Sequence, residues 1–124
     1  MVRFVKGLDG LRVRRDFLAT AKGDRQVRRG FVLQARNRQD KAPPRFGLTA
    51  SKKVGNAVMR NRTRRRLRAA AQEILPQYGH AGFDYVLVGR VHTRGLDWRR
   101  LKGELKSALK AIHKLGDRVD ERPE

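Results

Sequence analysis

The apolar positions of this chain change their spacing from segment to segment, and each spacing predicts an element. Residues Arg14–Ala21 set Phe17 and Leu18 among charged and small residues and are closed by Gly23, which predicts a short helix. Gly30–Arg38 contains the run Phe31-Val32-Leu33, and Phe46, Leu48 and Ala50 then alternate with Gly47 and Thr49, so two strands are predicted. Between them Gln39-Asp40-Lys41-Ala42-Pro43-Pro44 is polar and proline-rich, suited to an exposed hairpin loop. Gly55-Asn56 turns the chain, and Asn56 can cap a helix that runs to Pro76, where the missing amide should stop it. At helical spacing Met59, Leu67, Ala70 and Ile74 fall on one side and Arg60, Arg64, Arg65 and Arg68 on another, giving a core face and a cationic face. Asp84–Gly89 includes the unbroken apolar run Tyr85-Val86-Leu87-Val88, expected of a central strand covered on both sides. After the loop Arg90–Gly95, Asp97 can cap a last helix on which Trp98, Leu101, Leu105, Ala108, Leu109 and Ile112 recur. Gly116 is its expected stop, and Gly103 costs it about 1 kcal/mol relative to alanine.

The order helix, strand, strand, helix, strand, helix predicts an α+β fold, a small single-domain α/β sandwich over 1–114. Residues 115–124, with Asp117, Asp120, Glu121 and Glu124 against Arg118 and Arg122 and no apolar periodicity, read as a disordered tail.

Charge changes the picture from fold to partner. The 124 residues carry a formal net charge of +19, which attracts a dense polyanion; nucleic acid is the first candidate and an acidic membrane surface or heparin-like polymer the next. Residues 51–70 hold Lys52, Lys53, Arg60, Arg62, Arg64, Arg65, Arg66 and Arg68 and no acid. An ordinary solubilising face mixes both signs, whereas a guanidinium fork pairs bidentately with phosphate and keeps its charge at any working pH. No stretch approaches the length of a spanning helix, and Met1–Gly10 has no apolar run of a signal peptide, so a soluble cytoplasmic protein without a membrane partner is expected. With no cysteine there is no disulfide framework and no thiolate chemistry.

Several chemistries are excluded by pattern. No phosphate-loop motif occurs, and Phe46–Ala50 has strand alternation where a helix-turn-helix needs its first helix. His80, His92 and His113 are scattered, with no metal-ligand spacing, and Asp16, Asp84 and Asp97 read as cap or strand-end residues, so no catalytic or metal-binding residues are assigned in the chain.

The stretch Arg45–Arg68, RFGLTASKKVGNAVMRNRTRRRLR, resembles the signature region of the bacterial ribonuclease P protein family, with its Arg60-Asn61-Arg62 core and Gly55-Asn56-Ala57-Val58 in register. A weaker likeness runs from about Leu11 to Lys114 through Asp16-Phe17, Gly30-Phe31-Val32-Leu33 and Asp84–Lys114. The resemblance implies a sheet flanked by helices with a left-handed crossover from strand through arginine helix to strand, against the usual right-handed preference. It implies a protein subunit of ribonuclease P that is itself non-catalytic. A large RNA subunit holds Mg²⁺ and hydrolyses precursor tRNA to give the mature 5′ end. Carried over residue by residue, Lys52, Lys53, Arg60, Asn61, Arg62, Arg64, Arg65 and Arg68 contact RNA, and Phe17, Phe31 and Gln34 line a cleft for the single-stranded 5′ leader. The residues themselves leave two readings open: Asn61 can instead satisfy backbone groups, and Phe17 and Phe31 can instead be core. Where many members have a further aromatic and a tyrosine, this chain has Ala21 and Gln34, which implies a cleft that stacks less and hydrogen-bonds more. On composition alone the runner-up is a ribosomal RNA-binding protein; an independent protein nuclease lacks the acid-base or metal residues it would need.

Overall fold

A computed structural model of the chain describes residues 9–121 apart from residue 12, with side chains from residue 10 to residue 114. The segment read for an export signal lies almost wholly outside these residues, and of the expected tail only the backbone to Glu121 falls within them. The elements in order are β1 (Asp9–Gly10), α1 (Arg14–Ala21), β2 (Asp24–Val27), β3 (Phe31–Asn37), β4 (Arg45–Thr49), α2 (Ala57–Tyr78), β5 (Phe83–Gly89) and α3 (Trp98–Glu121), with 3-10 turns at Lys52–Val54 and Val91–Thr93. The strands form one mixed sheet in the order β1-β4-β5-β3-β2, parallel at β1/β4 and β4/β5 and antiparallel at β5/β3 and β3/β2. The predicted central strand is thus central. β4 and β5 are parallel neighbours joined through α2, a strand-helix-strand crossover.

The register separates two faces. Phe31, Leu33 and Ala35 on β3 lie opposite Gly89, Leu87 and Tyr85 on β5, and Phe46 and Leu48 on β4 lie opposite Tyr85 and Leu87. These side chains pack with Leu67, Ala70, Ala71, Ile74 and Leu75 of α2 and Leu101, Leu105, Ala108, Leu109 and Ile112 of α3 into one core. Each large aliphatic or aromatic side chain buried there contributes about 1.5–3 kcal/mol. The alternate residues, among them Val32, Gln34, Arg36, Gly47, Thr49, Val86 and Val88, share the other face, which among the described elements α1 covers. This is the α/β sandwich expected, with α2 and α3 on one side of the sheet and α1 on the other.

The differences from expectation have local causes. β1 and β2 were not predicted: β2 reads Asp-Arg-Gln-Val, mostly exposed, an edge strand held by its ladder to β3 and without alternation. α2 passes through Pro76 and ends at Tyr78, because a proline in the last turn removes only a bond near the helix end, and Gly79 N–H still reaches Leu75 O at 2.7 Å. α3 likewise continues past Gly116 to Glu121, since a glycine's cost of about 1 kcal/mol does not by itself end a helix. Met59, predicted for the core face of α2, is 37% exposed, and buried Thr63 begins that face instead.

Candidate nucleic-acid interface

The cationic helix begins from a locally determined turn. Ser51 Oγ accepts from Lys53 N at 3.3 Å, and Asn56 Oδ1 accepts from Met59 N at 3.0 Å, the predicted cap. Gly55 between them has φ 140°, a conformation side chains rarely adopt, and a Cβ there would lie 2.4 Å from Met59 Sδ. This turn carries exposed Lys52 and Lys53 beside the first turn of α2. Asn61, Arg62, Arg65 and Arg68 are exposed, and Arg60 and Arg64 half-buried. Arg60 Nη1 donates to Gly55 O at 2.9 Å, and Arg64 Nη2 donates to Asn61 Oδ1 at 2.8 Å. Asn61 therefore orients a neighbouring guanidinium rather than satisfying backbone. Arg66, which points away from this group, donates to Thr93 O and Arg94 O at 2.9 and 2.7 Å and lies 5.6 Å from the Trp98 ring centroid, so it ties α2 to the loop before α3.

The two phenylalanines offered as leader contacts separate completely. Phe31 is 0% exposed on the helix-covered face of the sheet; it is core, and its assignment to the cleft is corrected. Phe17, half-buried, lies from α1 on the opposite face, and a Cβ at Gly47 would stand 2.5 Å from its ring atoms. Glycine at that position is what lets the ring approach the sheet. Phe17, Leu11, Gly47, Arg64 and Arg68 line one cavity of about 180 Å³, so the arginine helix and the α1 face of the sheet meet there. Gln34 is half-buried on that same face, opposite Arg25 on β2 and Val86 on β5. Ala21 is exposed at the end of α1.

Where α1 does not reach, no other described element covers the same face. A groove of about 480 Å³ has Val27, Val32 and Val88 along its floor and Arg25, Lys53 and Arg90 at its edges. Val27 and Val91 are each 54% exposed. An apolar floor with a cationic rim suits an extended strand whose bases face inward and whose phosphates face the rim. Arg90 is anchored by its Nη1 donating to Arg28 O at 2.7 Å.

At the other end of this face stands a charge network that sequence reading missed. Asp84, 0% exposed, accepts from Arg36 Nη2 at 2.9 Å, Arg38 Nη1 at 2.5 Å, and Arg45 Nε and Nη2 at 2.8 Å each. Asp16 of α1 adds contacts to Arg36 and Arg45 at 3.6 and 3.4 Å. Burial alone would raise the Asp84 carboxyl, but the hydrogen bonds from Arg45 and Arg38 overcome it and hold the group below the usual carboxylate range. Asp16 thus pins α1 to the sheet rather than capping it, and Asp84, at the start of β5 where a strand-end residue was expected, anchors the arginines that Asp16 meets. The strand register sets this interior-strand acid beside an arginine on each neighbouring strand, at Arg36↔Asp84 and Arg45↔Asp84.

His80 and His113 stack with ring centroids 3.5 Å apart, and His113 Nε2 pairs with Tyr85 Oη at 2.6 Å; His92 is exposed elsewhere.

The Ribonuclease P family profile matches residues 6–113. The chain is 46% identical over 110 residues to the ribonuclease P protein component of Ruegeria pomeroyi, covering 86% of this chain and 88% of that one. It is 48% identical over 101 residues to that of Gluconacetobacter diazotrophicus, covering 81% and 87%. Among solved structures, the RNase P protein of Thermotoga maritima superposes with TM-score 0.69 at 27% identity, covering 83% of this chain and 96% of that one. The Staphylococcus aureus RNase P protein gives TM-score 0.68 at 26% identity, covering 83% and 94%.

Proposed function

The chain belongs to the ribonuclease P protein family, whose partner is RNA and whose work is tRNA 5′ processing, and from that premise we propose a division of labour for its surfaces. The arginine helix, through Lys52, Lys53, Arg60, Asn61, Arg62, Arg64, Arg65 and Arg68, docks on the catalytic RNA subunit. The α1 face of the sheet, with Phe17 and Gln34, receives the 5′ leader of precursor tRNA. The observation that carries this reading is the cavity shared by Phe17, Arg64 and Arg68, which makes the docking helix and the leader face one continuous surface.

Hydrolysis is assigned to the RNA subunit. Among the described residues no three His, Asp or Glu side chains converge as metal ligands, and the buried acid, Asp84, is saturated by three guanidiniums. The described residues do not fit a catalytic Mg²⁺ site, and in our reading the Mg²⁺ that phosphodiester hydrolysis requires belongs with the RNA. No helix among the described residues is long and apolar enough to cross a membrane; we place the protein in the cytoplasm, with its RNA partners.

Reconstitution tests the proposal. Rigorously RNA-free protein should leave precursor tRNA intact, and adding the cognate RNA subunit at low Mg²⁺ should release the leader at one site. Site-specific cutting by the protein alone would overturn the division of labour.

A further inference from the structure

Opposite the leader face, the outer seam between α2 and α3 carries a second organised cationic surface. Lys102, Lys106, Lys110 and Lys114 recur every four residues along α3, a step of about 6 Å on a helix. That step is comparable to the spacing of successive phosphates on a nucleic-acid strand. Lys102, Lys106 and Lys110 are held rather than splayed. Lys102 Nζ lies 5.3 Å from the Trp98 ring centroid and 2.7 Å from Glu73 Oε2 of α2. Lys106 and Lys110 Nζ lie 5.8 and 5.6 Å from the ring centroid of Tyr78, at the end of α2. The stripe therefore follows the seam between the two helices, which run in the same direction. It joins the arginine helix through Arg66, which shares the Trp98 ring with Lys102.

The stripe leads to a cavity of about 380 Å³ lined by Gln77, Tyr78, His80, Lys110 and His113. His80 is exposed, and one face of its ring is backed by the His113 ring at 3.5 Å and 8°. His113 is in turn fixed through Tyr85 Oη, to which His80 N also donates at 2.9 Å. An aromatic surface supported from behind, an amide at Gln77 and a row of ammonium groups are what an unpaired nucleotide needs: a ring to stack on, an edge to pair with and a charge for its phosphate. Glu73, which binds Lys102, is the sole acid whose contacts with the stripe the described residues show.

We infer that the α2–α3 seam is a second RNA-docking surface. The phosphates of a single-stranded segment of the RNA partner lie along Lys106, Lys110 and Lys114, and an unpaired base occupies the cavity beside His80. The inference rests on the chain being an RNA-binding subunit, and it adds to that role a contact on the face away from the leader. With the arginine helix at one end of the seam and this cavity at the other, the RNA partner would grip α2 along its length.

The test uses the full chain and the cognate RNA subunit transcribed with 4-thiouridine for uridine. Photocrosslinking should recover an adduct on the 77–83 segment that contains His80. The triple variant Lys106→Gln, Lys110→Gln, Lys114→Gln should melt close to the parent, since Lys110 and Lys114 are exposed, Lys106 is only half-buried, and the substitutions give up no more than the two cation–π contacts with Tyr78. It should lose affinity at least about tenfold, with a salt slope smaller by about 2–3 units. An Arg62→Ala, Arg65→Ala variant is measured beside it. If only the arginine variant weakens, the seam inference fails and the docking helix stands. If neither weakens, both surfaces fail. If the lysine variant weakens but no crosslink forms at 77–83, the stripe acts as diffuse charge and the inference fails.

Discussion

Arg65 and Arg66 are adjacent in sequence and face opposite duties, so the pair offers a sharp test of how the arginine helix is divided. Arg66 donates two hydrogen bonds, to Thr93 O at 2.9 Å and Arg94 O at 2.7 Å, in a part-buried position beside Trp98. Hydrogen bonds from a charged donor contribute about 1.5–3 kcal/mol each, and a partly desolvated cation–π contact about 1 kcal/mol. The two bonds share one guanidinium and are not additive, so Arg66→Ala should destabilise the fold by about 2–4 kcal/mol, with a Tm lower by on the order of 10 °C. Arg65 is exposed and makes no hydrogen bond or ion pair among the described residues. Arg65→Ala should stay within about 0.5 kcal/mol of the parent while weakening RNA binding and reducing its salt slope by about one unit. Thermal melting and a filter-binding salt titration on both variants measure the four quantities. Equal melting of the two variants, or an Arg65→Ala protein that binds RNA as the parent does, would refute the assignment.

Other consequences follow from the same contacts. Phe17→Ala, losing a half-buried ring over Gly47, should cost about 2 kcal/mol of stability, less than a fully buried phenylalanine, and about 1–3 kcal/mol of precursor binding. Mature tRNA, which lacks the leader, should bind unchanged; an equal loss for both tRNAs would remove Phe17 from the leader face. Phe31→Ala should cost about 3–5 kcal/mol in melting, and in the folded fraction the preference for precursor over mature tRNA should be unaltered. Because Asp84 is depressed in the folded protein, its stabilisation is present above the unfolded value near 4 and is lost as pH falls through the folded value. Asp84→Asn should therefore destabilise by about 3–5 kcal/mol at pH 7 and melt with a weaker acid dependence below pH 4. An acid limb identical to the parent's would show that Asp84 does not carry it.

Helices with an amphipathic stripe were legible in the sequence because their period is a local property: Arg14–Ala21 was read to the residue, and α3 begins just after the predicted Asp97 cap. The ends of α2 and α3 were not. A single proline or glycine removes a bond or adds backbone entropy, and neither outweighs a helix whose body is already packed. β2 left no trace because an exposed edge strand is selected by backbone pairing to β3. The run Phe31-Val32-Leu33 predicted a strand but not its faces, which depend on register with β5 and on which helices lie above each side. That is why Phe31 and Phe17 looked equivalent and are not. The docking arginines were legible as a cluster, whereas Arg66 could be told from Arg65 only once Thr93, Arg94 and Trp98 were placed. The Asp84 network joins residues 39 to 48 positions apart in the chain, a separation over which no periodicity reports.

The central claim, that the arginine face of α2 holds the RNA subunit by neutralising phosphates, is tested most directly by one salt titration. Affinity of the full chain for the cognate RNA subunit is measured from low to physiological salt for the parent and for Arg60→Ala, Arg62→Ala, Arg65→Ala combined. The account predicts a steep parental slope and, in the variant, weaker binding with a slope smaller by about three units, one per lost phosphate contact. A variant that folds, binds with parental affinity and keeps the parental slope would contradict it.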